Sequence, residues 1–326
     1  KQHAALLDEE YRTPQGVIIN DARKVQEGKV NVITCYPDNT PLQIGKSTPE
    51  AGKASLASLK RACGDLQQGL VHAVVTAPIN KANIQADDFR FSGHTEYLTH
   101  LFGAKSGSLM MMVSEALKVA LVCNHVPVSQ VAGQITKEQI LHKLAILNEA
   151  LKNDFTIRQP RIAVLALNPH AGDGGLLGKE EQEIIIPAIA EANKQGILAF
   201  GPYSADGFFG SGKFAHFDAT LAMYHDQGLI PFKSMDMNGV NYTAGLNIIR
   251  TSPDHGVAYD LAGKNQASEQ SFRNALTMAL DIMKQRAMNK EINANPLPVP
   301  EPNEDDMKPE FRSFSEPKST GYKANN

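Results

Sequence analysis

The amino-acid sequence predicts an α/β fold with a mainly parallel or mixed sheet flanked by helices. Two observations favour this fold. Short β-rich apolar runs alternate along the chain with longer segments of helical periodicity. Most of the apolar runs also lack a polar face, as is typical of strands that helices cover on each side. The 326 residues are 42% hydrophobic and 21% charged, which suits two domains or one large unit with a buried core.

The predicted strands and helices follow one another in a regular order. The strands are expected at residues 71–77, 117–123, 161–167, 219–224 and 245–251. The helices are expected at residues 48–69, 136–153, 179–196 and 268–287. Thr136, followed by Gln139, forms a capping-box pattern, and Ser268 offers a second helix start. Gly69 and Gly196 are expected just beyond helix ends.

Charge and composition argue against several functional classes. A net charge of -3 gives no reason to expect a nucleic-acid partner or an acidic membrane surface, and no apolar run is long enough to cross a bilayer. Three unevenly spaced cysteines, Cys35, Cys63 and Cys123, favour free thiols in a reducing, cytoplasmic compartment. The absence of a CxxC pair argues against a thiolate zinc site. We expect the natural amino terminus to be missing, because the sequence does not begin with Met.

Histidines follow three of the predicted strands. In open α/β sheets, ligands bind outside the carboxyl ends of the strands. The loops expected there are residues 76–81, 124–128, 168–175 and 225–228, and three of them contain His125, His170 and His225. Three imidazoles with open coordination positions suit a catalytic Zn²⁺ or a related divalent ion. Position alone also leaves open a structural or catalytic role without metal.

The same segments hold groups that could bind an anion. His94 and Thr95 open a helical segment, where free N–H groups and the Thr95 hydroxyl could hold a phosphate or carboxylate. Lys233 and Arg250 offer positive charge, and Asn241 lies between them in the sequence. Lone cations are more often solvated surface, and Asp206 before a glycine is more often part of a turn.

Five long motifs together give a specific signal. They read TAPINKANI, FSGHTEYL, LNPHAGDGGLLGKEE, AMYHDQGLIPFK and LNIIRTSPDHGVAYDLAGK. They resemble the signature motifs of one family, the 4-hydroxythreonine-4-phosphate dehydrogenases of vitamin B6 biosynthesis. The resemblance covers about residues 45–287, and the motifs appear in the family's order. The resemblance implies oxidation of 4-phosphooxy-L-threonine at C3 with NAD (or NADP), then loss of CO₂ to give 3-amino-2-oxopropyl phosphate.

The resemblance also implies a role for each matching residue. A divalent metal, Zn²⁺ ahead of Mg²⁺ or Co²⁺, would be held by His125, His170 and His225. The implied substrate-binding residues are His94, Thr95, Lys233, Asn241 and Arg250. Asp206 and Lys233 are the implied catalytic acid–base candidates, and Asp206 would reach the active site from a dimer partner. His255, Gly256 and Asp260 would lie near the adenosine of the cofactor.

A homodimer of two-domain chains follows from the same resemblance, with the active site in the interdomain cleft near the dimer interface. The fold would be like that of isocitrate and isopropylmalate dehydrogenases. We expect residues 1–90 plus 228–288 to form the first α/β domain and residues 91–227 the second, dimerising domain. The family's glycine- and proline-rich first block has no counterpart here, so an N-terminal strand is expected to be missing. Residues 289–326, rich in proline, are expected to form an extended or disordered tail.

Three other functions remain open at this stage. A paralogous dehydrogenase would act on 4-phospho-D-threonate or 4-phospho-D-erythronate with the same mechanism. A metal-dependent hydrolase of a small phosphate ester would use the histidines and cations without NAD, although the DHGVAYDLAGK segment argues against it. A binding module without activity would not need all the histidines and cations that this chain contains.

Overall fold

The computed structural model describes residues 16–41, 43–87, 89–103 and 107–296. Contacts divide the chain into two units, residues 1–289 and 290–326, and the packing described below is that of the first unit. The extended or disordered tail was expected from residue 289, but a helix continues to Ala294, so that start was wrong. The rest of the expected tail from 297 onward and the residues before 16 lie outside the described residues. Among the described residues, none of the helices is both long and apolar enough to cross a bilayer.

The predicted α/β fold is confirmed by one eight-stranded mixed sheet, in the order β3-β10-β9-β4-β5-β8-β6-β7. A separate two-stranded parallel pair is formed by β1 and β2. The strands are β1 (Val17–Ile19), β2 (Asn31–Ile33), β3 (Ala73–Val75), β4 (Leu109–Val113), β5 (Lys118–Leu121), β6 (Arg161–Leu165), β7 (Leu198–Tyr203), β8 (Ala219–Ala222), β9 (Val240–Ala244) and β10 (Ile249–Pro253). The strand predicted at 245–251 was wrong in its bounds, because Gly245 adopts φ of 80° in a turn and the strand starts at Ile249.

Helices cover both faces of the sheet. They are α1 (Pro49–Gln67), α2 (His94–Phe102), α3 (Val128–Gln134), α4 (Lys137–Asn153), α5 (Ile186–Lys194), α6 (Ala205–Gly210), α7 (His225–Met235) and α8 (Gln270–Ala294). The Thr136 cap is confirmed, since its hydroxyl oxygen accepts a hydrogen bond from the Gln139 N–H at 3.2 Å. Gly69 and Gly196 both have positive φ beyond helix ends, as expected. The helix predicted at 179–196 begins instead with a π turn at Glu181–Ile185.

Alternate residues of the central strands enter two different hydrophobic cores. On β4, Met111 joins the core that contains α4, α5 and α8, whereas Met112 joins the core that contains α6 and α7. This alternation is the period of two that strand geometry imposes. The strands are therefore buried on both faces, which explains why their sequences lack a polar face.

A buried polar network joins three elements behind the sheet. The Tyr242 hydroxyl on β9 donates to the carboxylate of Asp154, the residue that ends α4. The Arg286 guanidinium on α8 donates to both Asp154 oxygens and to the Tyr242 oxygen. Burial raises the pKa of Tyr242, and the neighbouring Asp154 carboxylate adds to that effect. The network fixes β9 against α4 and α8.

Strand direction corrects one expectation about the site. Strands β5, β8, β6 and β7 run parallel to one another, so His125, His170 and His225 do follow neighbouring parallel strands. Strands β3 and β10 run in the opposite direction, because β10 pairs with β9, β9 with β4, and β4 with β5, all antiparallel. The segment at 76–81 therefore leaves the sheet at the opposite edge, but Thr76, Pro78 and Lys81 still line the same cavity as His125 and His225, as expected for a ligand-binding segment.

The predicted division into two domains stays a prediction. The eight-stranded sheet runs through both expected domains, and its antiparallel pair β9–β4 joins them. The three cysteines are free thiols, as expected, and Cys63 and Cys123 are buried.

Candidate active site

A cavity of about 330 Å³ gathers nine of the residues proposed from the sequence. Its wall is made by the segment after β3, the N-terminal turn of α2, the segment after β5, α7, residues of β9 and β10, and the start of the loop after β10. The expected site residues in this wall are His94, Thr95, His125, His225, Lys233, Asn241, Arg250, His255 and Gly256. These residues come from distant parts of the sequence, so their convergence supports a common function.

Arg250 is a buried cation at the base of this cavity. It is 4% exposed, and its guanidinium donates to the Thr76 hydroxyl at 2.9 and 3.2 Å and to the Thr243 hydroxyl at 3.1 Å. Among the described residues no carboxylate lies within ion-pair distance of it. Burial lowers the pKa of Arg250 to about 10, although the nearby Glu96 opposes the shift. The group therefore remains charged at neutral pH, and a buried charge without a partner is costly unless an anion binds.

The N-terminus of α2 faces the same cavity. Gly93 precedes the helix and makes no side-chain cap, so the first N–H groups of His94, Thr95 and Glu96 have no capping acceptor. Such a helix end attracts anions through its free N–H groups and its dipole. Burial, with help from the positive charges of Arg250 and Lys81, lowers the pKa of His94 to about 4. His94 is therefore a neutral hydrogen-bonding group at pH 7.

Two further residues present polar atoms to the cavity. The Lys233 ammonium, on α7, forms an ion pair with the Asp254 carboxylate at 3.1 Å. Burial raises the pKa of Asp254, and the bond from Lys233 opposes that rise. The Asn241 side-chain oxygen on β9 is buried and has no hydrogen-bond partner among the described residues. It is ready to accept a hydrogen bond from a bound molecule.

His125 and His225 lie together in the cavity, with ring centroids 5.9 Å apart. His225 is the first residue of α7, so the expectation that residues 225–228 form a loop was wrong. Gly228 allows this helix to approach β5 closely, since a Cβ there would lie 2.6 Å from a Val119 methyl group. The Asp226 carboxylate contacts the His225 Nδ1 at 2.7 Å, which leaves the other ring nitrogen free to coordinate a metal.

His170 lies in a different cavity of about 570 Å³, together with Asp206. Five consecutive residues from His170 to Gly174 have φ between 44° and 79°, a left-handed turn. Such a conformation costs roughly 1–2 kcal/mol for each non-glycine residue, and strain of this kind collects at functional sites. The Ser204 hydroxyl donates to Asp206 at 2.6 Å and holds the pKa of that carboxyl below its usual range.

Within one chain, therefore, two of the three predicted metal ligands, His125 and His225, lie close together. Among the described residues, no group of three His, Cys, Asp or Glu side chains is placed to hold a metal ion. His125 and His225 fit two imidazole ligands, because burial first and Lys81 second lower the pKa of His125 and favour its neutral form. His170 lines the other cavity and is not part of this pair.

A third cavity, also of about 570 Å³, adjoins the 330 Å³ cavity, and both of these are lined by His255 and Gly256. Its wall comes from α1, the segment at 43–46, the turn after β3 and the loop that follows β10. Its size suits part of a dinucleotide, since ligand sites are commonly about 300–1,000 Å³. Asp260 lies on the same loop, between Tyr259 and Leu261, but is not part of the wall.

Comparison with known proteins identifies the family. A family model described as pyridoxal phosphate biosynthetic protein PdxA matches residues 2–279. This chain belongs to the PdxA family. A 4-hydroxythreonine-4-phosphate dehydrogenase of Bacteroides thetaiotaomicron is 53% identical over 281 residues, which cover 86% of this chain and 77% of the relative. One from Prosthecochloris aestuarii is 43% identical over 265 residues, or 80% of this chain and 78% of the relative.

Solved structures agree with this result for the PdxA fold. The crystal structure of 4-hydroxythreonine-4-phosphate dehydrogenase from Klebsiella pneumoniae superposes with a TM-score of 0.73 at 33% identity, covering 86% of each chain. The resemblance proposed from the sequence motifs is therefore confirmed. The roles of individual residues stay predictions.

Sequence reasoning missed several residues of this PdxA site. Thr76 and Thr243 hold Arg250, Asp254 pairs with Lys233, and Lys81 lies in the cavity wall. Three of the four fall within the motifs quoted above, and Thr243 falls between two of them. Asp254 could have been found, because it is a carboxylate four residues after Arg250 in the same motif. The threonines gave none, because hydroxyl side chains on apolar strands are common.

Proposed function

We propose that this chain is a 4-hydroxythreonine-4-phosphate dehydrogenase. It oxidises the C3 hydroxyl of 4-phosphooxy-L-threonine with NAD, and the β-keto acid then loses CO₂ to give 3-amino-2-oxopropyl phosphate, a step toward pyridoxal 5′-phosphate. The observation that carries the proposal is the buried Arg250 without a carboxylate partner, in one cavity with two adjacent imidazoles. The names of the relatives support the reaction.

The phosphate is the anion that Arg250 lacks. The remaining N–H groups of its guanidinium, the N–H groups at the start of α2 and the Thr95 hydroxyl face one volume. Charge-assisted hydrogen bonds of this type are among the strongest in proteins. Because the phosphate is remote from C3, this binding energy orients the substrate for reaction. The Asn241 oxygen accepts from an N–H or O–H of the substrate.

Three imidazoles would hold the metal, two from one chain and one from its partner. His125 and His225 come from one copy, and His170 comes from a second copy of the chain together with Asp206. The separation of His170 and Asp206 from the first cavity supports this arrangement. A divalent ion, Zn²⁺ ahead of Mg²⁺ or Co²⁺, would act as a Lewis acid on the substrate oxygen. His225 is oriented for this role by Asp226.

The nicotinamide cofactor would occupy the adjoining cavity, where His255 and Gly256 reach both volumes. When bound there, the cofactor would supply the acceptor for the hydride of C3, while a side chain of the site takes the hydroxyl proton. Lys233, which the Asp254 carboxylate holds, or Asp206 of the second copy would move protons to and from the substrate. After CO₂ leaves, the same groups return a proton to the carbon.

The test is NADH formation by chelator-treated protein with 4-phosphooxy-L-threonine, beside 4-phospho-D-threonate, each with and without added Zn²⁺, Co²⁺ or Mg²⁺. We expect metal-dependent NADH from the L-threonine compound. Turnover with 4-phospho-D-threonate alone would show that the protein is instead one of the paralogous dehydrogenases of sugar-acid phosphates. Equal turnover in the chelated protein without metal would contradict the histidine site, and turnover with neither compound would contradict the proposal as a whole.

A further inference from the structure

The left-handed turn that carries His170 rests on a buried carboxylate. Glu181 is 1% exposed. One of its oxygens accepts from the backbone N–H groups of Leu167 and Asn168 at 2.9 and 2.8 Å, and the other accepts from the Asn168 side-chain amide at 3.0 Å. Among the described residues no cation lies within ion-pair distance of it. Leu167 and Asn168 are the residues that lead directly into the turn.

The glycines of the turn are fitted to these two side chains. A Cβ on Gly172 would lie 2.6 Å from a Glu181 carboxylate oxygen, and a Cβ on Gly178 would lie 2.4 Å from the Asn168 amide nitrogen. Both glycines also have positive φ, 79° and 133°. The turn therefore closes around the carboxylate, which explains why the segment is rich in glycine although it carries no phosphate-binding motif.

We infer that Glu181, together with Asn168, is a positioning residue that holds His170 in the geometry needed for metal binding. Glu181 is too deeply buried to contact a ligand in either cavity, so it acts through the backbone at 167–168. Burial opposes ionisation of Glu181, but the bonds from Asn168 and Leu167 outweigh it and keep its pKa below the ordinary value. The carboxylate thus remains a full acceptor at neutral pH. The inference rests on the proposed metal-binding role of His170.

A carboxamide cannot replace this carboxylate fully. In Glu181→Gln the oxygen can still accept from both backbone N–H groups, but the NH₂ group would face the Asn168 NH₂ group. Asn168 cannot simply rotate its amide, because the same nitrogen donates to Glu180 at 2.7 Å. The substitution therefore loosens the turn while the hydrophobic cores stay intact. Glu181→Asp keeps the charge but shortens the reach, and Asn168→Ala removes the amide while retaining Glu181.

The experiment measures Co²⁺ and Zn²⁺ binding to chelator-treated dimer by calorimetry and by the Co²⁺ absorption spectrum, without substrate. We expect the dissociation constant to rise at least tenfold in Glu181→Gln and Asn168→Ala, with the apo melting curve still cooperative and the KM for NAD unchanged. Glu183→Gln is the matched control, because Glu183 lies two residues after Glu181 in the same Glu181–Ile185 segment but is exposed to solvent. Its metal affinity should equal that of the wild type.

Several outcomes separate this inference from the proposed function. If the wild type binds metal and both variants bind it equally well, the positioning role is wrong and the metal site stands. If the wild type itself binds no metal, the proposed metal site is wrong, and the positioning role of Glu181 is wrong with it. Should Glu181→Gln fail to fold, Asn168→Ala and Glu181→Asp decide the question. Wild-type affinity in both of these variants would overturn the inference.

Discussion

Replacing Arg250 with Met tests the anion site while preserving side-chain volume. Arg250 uses three N–H contacts on the Thr76 and Thr243 hydroxyls, so its other N–H groups remain for the phosphate. Two charge-assisted hydrogen bonds to a buried anion are together worth about 3–5 kcal/mol. Because each 1.4 kcal/mol is about tenfold, the KM for the phosphorylated substrate should rise by roughly a hundredfold or more.

The same substitution should leave the protein folded. It removes a buried charge that has no carboxylate partner, which offsets the cost of leaving two threonine hydroxyls without a donor. We expect the free energy of unfolding of the ligand-free protein to change by less than about 2 kcal/mol. Inorganic phosphate should raise the melting temperature of the wild type and not that of the variant.

The assay is steady-state NADH formation with each substrate varied in turn. The KM for NAD should stay within about threefold, since the proposed cofactor site is the adjoining cavity. Arg161→Met is the matched control, because Arg161 lies over the Phe200 and Phe217 rings on exposed surface, away from the cavity. Equal rises in both KM values, or an unchanged KM for the phosphorylated substrate, would refute the phosphate role.

Three further predictions concern the dimer, the pH dependence and the fold. His170→Ala and His125→Ala proteins should each be inactive but, when unfolded together and refolded as mixed dimers, recover on the order of a quarter of wild-type activity; no recovery would contradict shared ligands. His94 has a pKa of about 4 in the folded protein, so the unfolded chain takes up its proton first as pH falls. Wild type should therefore lose up to about 3 kcal/mol more unfolding free energy than His94→Gln between pH 6.5 and 4, and none above pH 6.5, by denaturant titration. On α1, Gly52→Ala should lower the free energy of unfolding by more than about 2 kcal/mol, since its Cβ would lie 1.9 Å from the Asn83 carbonyl oxygen. Gly64→Ala, where a Cβ would meet open space, should raise it by up to about 1 kcal/mol. Melting temperatures of the two variants that shift in the same direction would contradict this prediction.

Local chemistry explains which parts of the fold were predictable. The start of α4 follows from the Thr136 cap, and the proximity of His125 and His225 follows from their position after neighbouring parallel strands. The start of α7 was missed because Gly228 and Pro231 look like turn residues in sequence. Close packing of Gly228 against β5 is a tertiary effect that no local pattern contains.

The turn at His170 was beyond sequence reasoning for another reason. Glycines indicated a turn, but His170, Ala171 and Asp173 adopt the left-handed conformation that their side chains disfavour. The buried Glu181 that stabilises it lies in a charged run that is typical of a solvated helix face. In this turn, the backbone conformation that the residues prefer locally differs from the one that the contacts of Glu181 stabilise in the folded chain.

The two faces of β9 connect the candidate active site to the buried polar network on the other side of the sheet. Asn241 and Thr243 face the cavity and Arg250, whereas Tyr242 between them is locked to Asp154 and Arg286 on the opposite side. A genetic screen for altered substrate affinity should therefore recover changes at Asp154 and Arg286 as well as in the cavity. Such alleles would look unrelated to catalysis on a residue-by-residue map, yet they would act through a single strand.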